Sequence, residues 1–175
     1  MSVLRGLDVA TLSLENALDL AILIEEEARE RYEEFADQME AHHTPDAAAF
    51  FRTMAGNEEK HRSALVARRR ARFGDAPTTV TRAMLFDVEA PDYDEARAFM
   101  TARAALDIAL RCEQKAHAFF VEALPHIGEP QVRALFTELR DEEVHHQDLV
   151  RREIERLPAD ADTGGEAFVD EPAAQ

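Results

Sequence analysis

A chain of 175 residues, 46% hydrophobic and 32% charged, is long enough for one domain with a substantial core. Its formal net charge of −16 disfavours nucleic acid and anionic membranes as partners and favours cations. The single cysteine, Cys112, excludes an intrachain disulfide framework and a four-thiolate metal site, and the scarcity of Gly (six) and Pro (seven) argues against an all-β chain.

Residues 1–10 carry no apolar stretch of signal-peptide length, and no apolar run is long enough to span a bilayer. A cytoplasmic protein is therefore expected. Residues 1–12 read as an N-terminal extension, 13–157 as the folded domain and 158–175 as a disordered acidic tail.

The first helix is predicted over residues 14–41. Leu14, Leu18, Ala21, Glu25, Ala28, Tyr32, Phe35 and Met39 alternate spacings of four and three, which places them on one stripe. Glu25 alone is charged there. A carboxylate on an apolar stripe costs several kcal/mol unless it is paired or bound to a cation.

Thr44 as N-cap and Pro45 in the first turn open the second helix, which runs to about residue 73 before Gly74. Its stripe is Ala47, Phe51, Met54, Glu58, His61 and Leu65. Residues 75–94 lose this periodicity and read as a long connection, with one short helix within 80–86. A connection of that length lets the third helix run parallel to the second.

A capping box at Asp92–Glu95 is expected to start the third helix. Phe99, Ala102, Leu106, Ala109, Glu113, Ala116 and Phe120 form its stripe, again with one lone Glu. Gly128-Glu129-Pro130 opens the fourth helix, with the stripe Leu135, Glu138, Glu142, His145 and Leu149. In this reading His146 points away and is exposed. His117 is expected at the surface or an interface, His42-His43 in a solvated turn, and Cys112 as a small apolar filler.

The chain thus writes a helical hairpin twice. Glu113 follows Glu25 by 88 residues, and Glu142 and His145 follow Glu58 and His61 by 84. Residues three apart on a helix share a face, so each Glu-x-x-His can offer one oxygen and one nitrogen to a metal. Folding the two hairpins into an all-α four-helix bundle brings Glu25, Glu58, His61, Glu113, Glu142 and His145 together. This ligand set is that of ferritin-like di-iron and di-manganese bundles.

The sequence resembles the rubrerythrin and erythrin branch of that superfamily. Glu25-Glu26-Glu27-Ala28-Arg29-Glu30-Arg31-Tyr32 resembles a first-helix motif in which the ligand Glu precedes a Tyr by seven. Glu58-Glu59-Lys60-His61 and Glu142-Glu143-Val144-His145 resemble its two Glu-x-x-His motifs. Two departures stand out. No rubredoxin domain is possible with one cysteine, and Ala116 occupies a position that carries a further Glu in many relatives.

The resemblance implies a ferritin-like bundle with a long crossover between the second and third helices. It also implies an oxidoreductase that binds two Fe²⁺ and reacts them with O₂ or H₂O₂, in iron homeostasis or oxidative-stress defence. The six residues would be both metal ligands and catalytic residues, with Tyr32 beside them. Glu138 is an additional candidate ligand or a carboxylate on the path by which iron arrives. Mn and Zn suit the same donors. A homodimer or higher homo-oligomer and a separate electron donor are expected. The alternatives are a non-catalytic iron storage or delivery module, and a di-iron oxygenase acting on an organic substrate.

Overall fold

In the computed structural model, residues 8–41, 43–85 and 101–158 are described. Four helices dominate: α1 (Leu14–Ala41), α2 (Pro45–Phe73), α3 (Ala102–Ala123) and α4 (Pro130–Arg156). No described helix is long and apolar enough to cross a membrane.

The helix ends follow from local chemistry. The Ser13 hydroxyl accepts from Asn16 N at 3.2 Å and caps α1. Pro45 fills the first turn of α2, where its missing N–H is not needed. Thr44, expected as the cap, instead donates its hydroxyl to Met39 O at the end of α1. Gly74, at φ 63°, ends α2 in the left-handed region that favours glycine. The Glu129 carboxylate accepts from Val132 N and caps α4 ahead of Pro130. The capping box expected at Asp92–Glu95 lies outside the described residues, and α3 as described opens at Ala102 with the Thr101 hydroxyl as cap.

Three cross-helix contacts set the directions. Near the end of α2, Arg69 pairs with Asp19 on α1 at 2.5 Å, Arg68 with Glu138 on α4 at 3.0 Å, and Arg72 with Gln131 at 2.7 Å. The end of α2 therefore lies beside the starts of α1 and α4. Each hairpin is antiparallel, so α2 and α3 run parallel, as a long connection between them requires. The first part of that connection climbs α1: Thr79 donates to Asn16, and Arg82 forks onto Glu30 at 2.8 Å while also reaching Glu26. This hydrogen-bonded guanidinium holds the Glu30 carboxyl below its ordinary value. The short helix expected within residues 80–86 is a 3₁₀ turn, Arg82–Met84, flanked by the buried Val80 and Leu85.

The apolar core is split in two. One cluster, at the end where α1 and α4 begin, gathers Leu18, Ile24, Leu65, Phe120, Leu135, Phe136 and Leu139, and also Leu12. The other, at the opposite end, gathers Tyr32, Phe35, Met39, Phe51, Met54, Leu106, Cys112 and Val150. On each helix two to three turns separate the two clusters. Into that gap fall Glu25 on α1, Glu58 and His61 on α2, Glu113 on α3, and Glu143, His146 and Gln147 on α4.

Candidate metal centre

The polar layer is built from side chains that the helices deliver without bending. Glu25 and Glu113 each project from the core stripe of the first helix of a hairpin, and Glu58 and His61 sit one turn apart on α2. Residue 59 turns outward: the Glu59 carboxylate takes Arg62 Nε and Nη2 and Ser63 Oγ, each at 2.9 Å, with Arg29 at 3.6 Å. These partners hold its pKa down to about 2 and leave Glu58 as the inward carboxylate of the Glu-Glu pair.

On α4 the inward pair is Glu143 and His146, which are 5% and 3% exposed. His146 therefore lies in the core rather than at the surface, the reverse of the sequence expectation, and His145 is exposed. The expected pair Glu142 and His145 shares the α4 face that lines a cleft with Glu138, Asp141, His61 and His146. The cause is register. The motif is doubled, so Glu142/His145 and Glu143/His146 are both Glu-x-x-His, rotated by about 100° from each other. Packing selects between them. Phe136, Leu139, Glu143, His146 and Val150 keep the three-and-four spacing with every flanking residue apolar and buried, whereas the other stripe contains Glu138. Leu139 in place of Glu138 was the signal available in the sequence.

Distances within the layer are short. His146 Nδ1 lies 3.3 Å from Glu58 Oε1 and 3.4 Å from Glu113 Oε2. His61 Nδ1 lies 3.6 Å from Glu25 Oε2 and 3.8 Å from Glu58 Oε2. The two imidazoles stack, with ring centroids 5.2 Å apart and planes 7° from parallel. The Tyr32 hydroxyl donates a hydrogen bond to Glu113 Oε1, and Gln147 Nε2 donates to the Glu113 carbonyl at 3.3 Å. Three groups have ligand atoms within 4.8 Å of one another: Glu58, His61 and His146; Glu25, His61 and Glu142; Glu113, Glu143 and His146.

Of the sequence-predicted residues, Glu25, Glu58, His61, Glu113 and Glu142 each fall in such a group, and His145 falls in none among the described residues. Glu138 is exposed and occupied by Arg68. Tyr32 stands beside the layer as expected.

The electrostatics suit a bound cation. Glu25, Glu58, Glu113 and Glu143 are all buried, and burying a carboxylate costs several kcal/mol unless opposite charge compensates it. His61 Nδ1 and Glu113 Oε2 are buried without a hydrogen bond among the described residues. Glu25, by its loose 3.6 Å contact, raises the His61 pKa above its ordinary 6.5 against the opposing effect of burial. Burial raises the Glu142 carboxyl above 4.5, with Glu25 and Glu138 adding to the rise and His61 and His146 opposing it. Two divalent cations would balance the four buried carboxylates, and mixed carboxylate and imidazole donors suit iron and manganese.

The family model described as Rubrerythrin matches residues 16–154. The chain is also similar to the crystal structure of an uncharacterized conserved protein from Magnetospirillum magnetotacticum MS-1. Identity is 32% and the TM-score 0.70, with 84% of this chain and 97% of that one covered. No curated protein matches this chain.

Proposed function

Because this chain belongs to the rubrerythrin family of ferritin-like proteins, we propose that its central layer holds two iron ions and that the protein is an oxidoreductase acting on O₂ or H₂O₂. The observation that supports this most is the convergence of a buried Glu from each of the four helices, with two imidazoles, in one layer between two apolar clusters. Glu25 with His61 would hold one ion and Glu113, Glu143 and His146 the other. Glu58 lies within 4 Å of both imidazoles and serves both positions.

Two bound ferrous ions would supply two electrons, enough together with two protons to reduce one H₂O₂ to two water molecules. The protein's own groups set the conditions for that. Both imidazoles must be neutral to act as ligands, so metal binding at His61 competes with the proton that Glu25 favours there. Tyr32 directs one oxygen of Glu113 toward its hydroxyl and leaves the other toward His146. The apolar clusters above and below exclude water from the layer on those two sides. A separate electron donor would return the irons to the ferrous state.

The test is anaerobic Fe²⁺ titration followed by mixing with O₂ or H₂O₂ while near-ultraviolet absorbance is recorded. Saturation at two irons per chain, with a ferric band growing faster with one oxidant, is expected and identifies the substrate. Saturation without oxidation would replace the enzyme with an iron storage or delivery module. Failure to bind would end the di-iron reading.

A further inference from the structure

The doubled motif on α4 leaves Glu142 without a place in the six-residue set, yet its carboxylate is not idle. It comes within 4.8 Å of both Glu25 and His61, the residues of the α1/α2 position. Its neighbour Glu143 joins Glu113 and His146, the residues of the α3/α4 position. Consecutive residues on one helix thus serve opposite positions. On α3, by contrast, the residue one turn after Glu113 is the fully buried Ala116, which offers no donor.

The two positions also differ in their access to solvent. The His146 side chain is 4% exposed and the group Glu113, Glu143 and His146 is wholly buried. The His61 side chain is 28% exposed, and Glu142 is half-buried. Both line the cleft, as does the buried His146, and Glu142 is the half-buried carboxylate beside His61 there.

We infer that Glu142 is a seventh ligand, specific to the α1/α2 metal, and that this metal is the exchangeable one of an inequivalent pair. This rests on the two-metal reading above. Its physical basis is twofold. A fifth carboxylate brings the ligand charge to −5, which over-neutralises two divalent ions and favours a more highly charged pair. A half-buried ligand such as Glu142 can leave and return without repacking the core, whereas the buried Glu143 and His146 cannot. The α1/α2 position would then load last, release first and accept small external ligands through the cleft.

The experiment is anaerobic titration of the full chain with Co²⁺, a redox-stable stand-in, followed by release into excess chelator. The intact chain should bind two Co²⁺ and release them in two phases. Glu142→Ala should weaken one of the two by at least tenfold and speed the faster phase, leaving the slower phase unchanged. Asp141→Asn removes a charge from the same cleft, from a side chain paired with Arg140, and should change neither phase. Two bound ions with Glu142→Ala indistinguishable from the intact chain would overturn the seventh ligand and leave the six-residue centre standing. Equal losses in Asp141→Asn and Glu142→Ala would overturn it too, since cleft charge alone would then be responsible. An intact chain that binds no Co²⁺ and no Fe²⁺ would overturn the two-metal reading itself.

Discussion

The Glu-x-x-His turns of α2 and α4 look like copies, but they solve the same problem differently. On α2 there is one histidine, so Glu58-Glu59-Lys60-His61 has a single register. Glu59 is drawn outward by Arg29, Arg62 and Ser63. On α4 both residues are doubled, and nothing within Glu142-Glu143-Val144-His145-His146 distinguishes the registers. The choice is made a turn or more away, where Leu139 and Val150 enter the core and rotate Glu143 and His146 inward with them. A ligand motif on a helix is therefore read from the apolar residues that flank it.

Single histidine substitutions break this comparison most sharply. His146→Ala should weaken binding of the α3/α4 metal by more than about 100-fold, beyond the 10–100-fold that loss of a supporting residue costs. His145→Ala should change it less than about twofold; metal titration distinguishes the two. A larger effect from His145→Ala would mean that α4 presents its other register.

The hairpins also differ in what stands seven residues after the lone Glu. On α1 it is Tyr32, hydrogen-bonded to Glu113 on α3; on α3 it is Phe120, packed edge-on against Phe136 at 5.4 Å in the other cluster. Tyr32→Phe should cost about 1–3 kcal/mol in the metal-free protein, because a buried acceptor loses its donor. Chemical denaturation would measure it. A neutral result would mean that Glu113 finds another partner.

The pH dependence sharpens the contrast between the layer and the clusters around it. His61 is raised above 6.5, so its contribution to stability is present at low pH and lost as pH rises through its folded value. Glu142 is raised above 4.5, which destabilises the native state as pH rises and the buried carboxyl must ionise. Both have the same sign. The metal-free protein should melt at progressively lower temperature from about pH 5 upward, and metal should remove that slope; calorimetry across pH tests it. A rising melting temperature would contradict both shifts.

The smallest effect lies just outside the layer. Gly56 sits in the interior of α2 with open space where a Cβ would go. Gly56→Ala should stabilise the fold by roughly 0.5–1 kcal/mol through helix propensity alone, without changing metal stoichiometry. Thermal denaturation reads the first and titration the second.

Local patterning was enough to determine the four helices, the opening of the second at Pro45 and of the fourth at Pro130, and the lone carboxylates Glu25 and Glu113, because a charge on an apolar stripe is visible wherever the stripe is unambiguous. It was also enough for Glu58 and His61, since α2 offers only one register. The tertiary structure alone decided the rest. It turned Glu143 and His146 into the core and left Glu142 and His145 on the cleft, because two registers of equal local merit are separated only by how Phe136, Leu139 and Val150 pack against other helices. It also showed Tyr32 reaching across to Glu113, a contact between residues 81 apart that no spacing within one helix encodes.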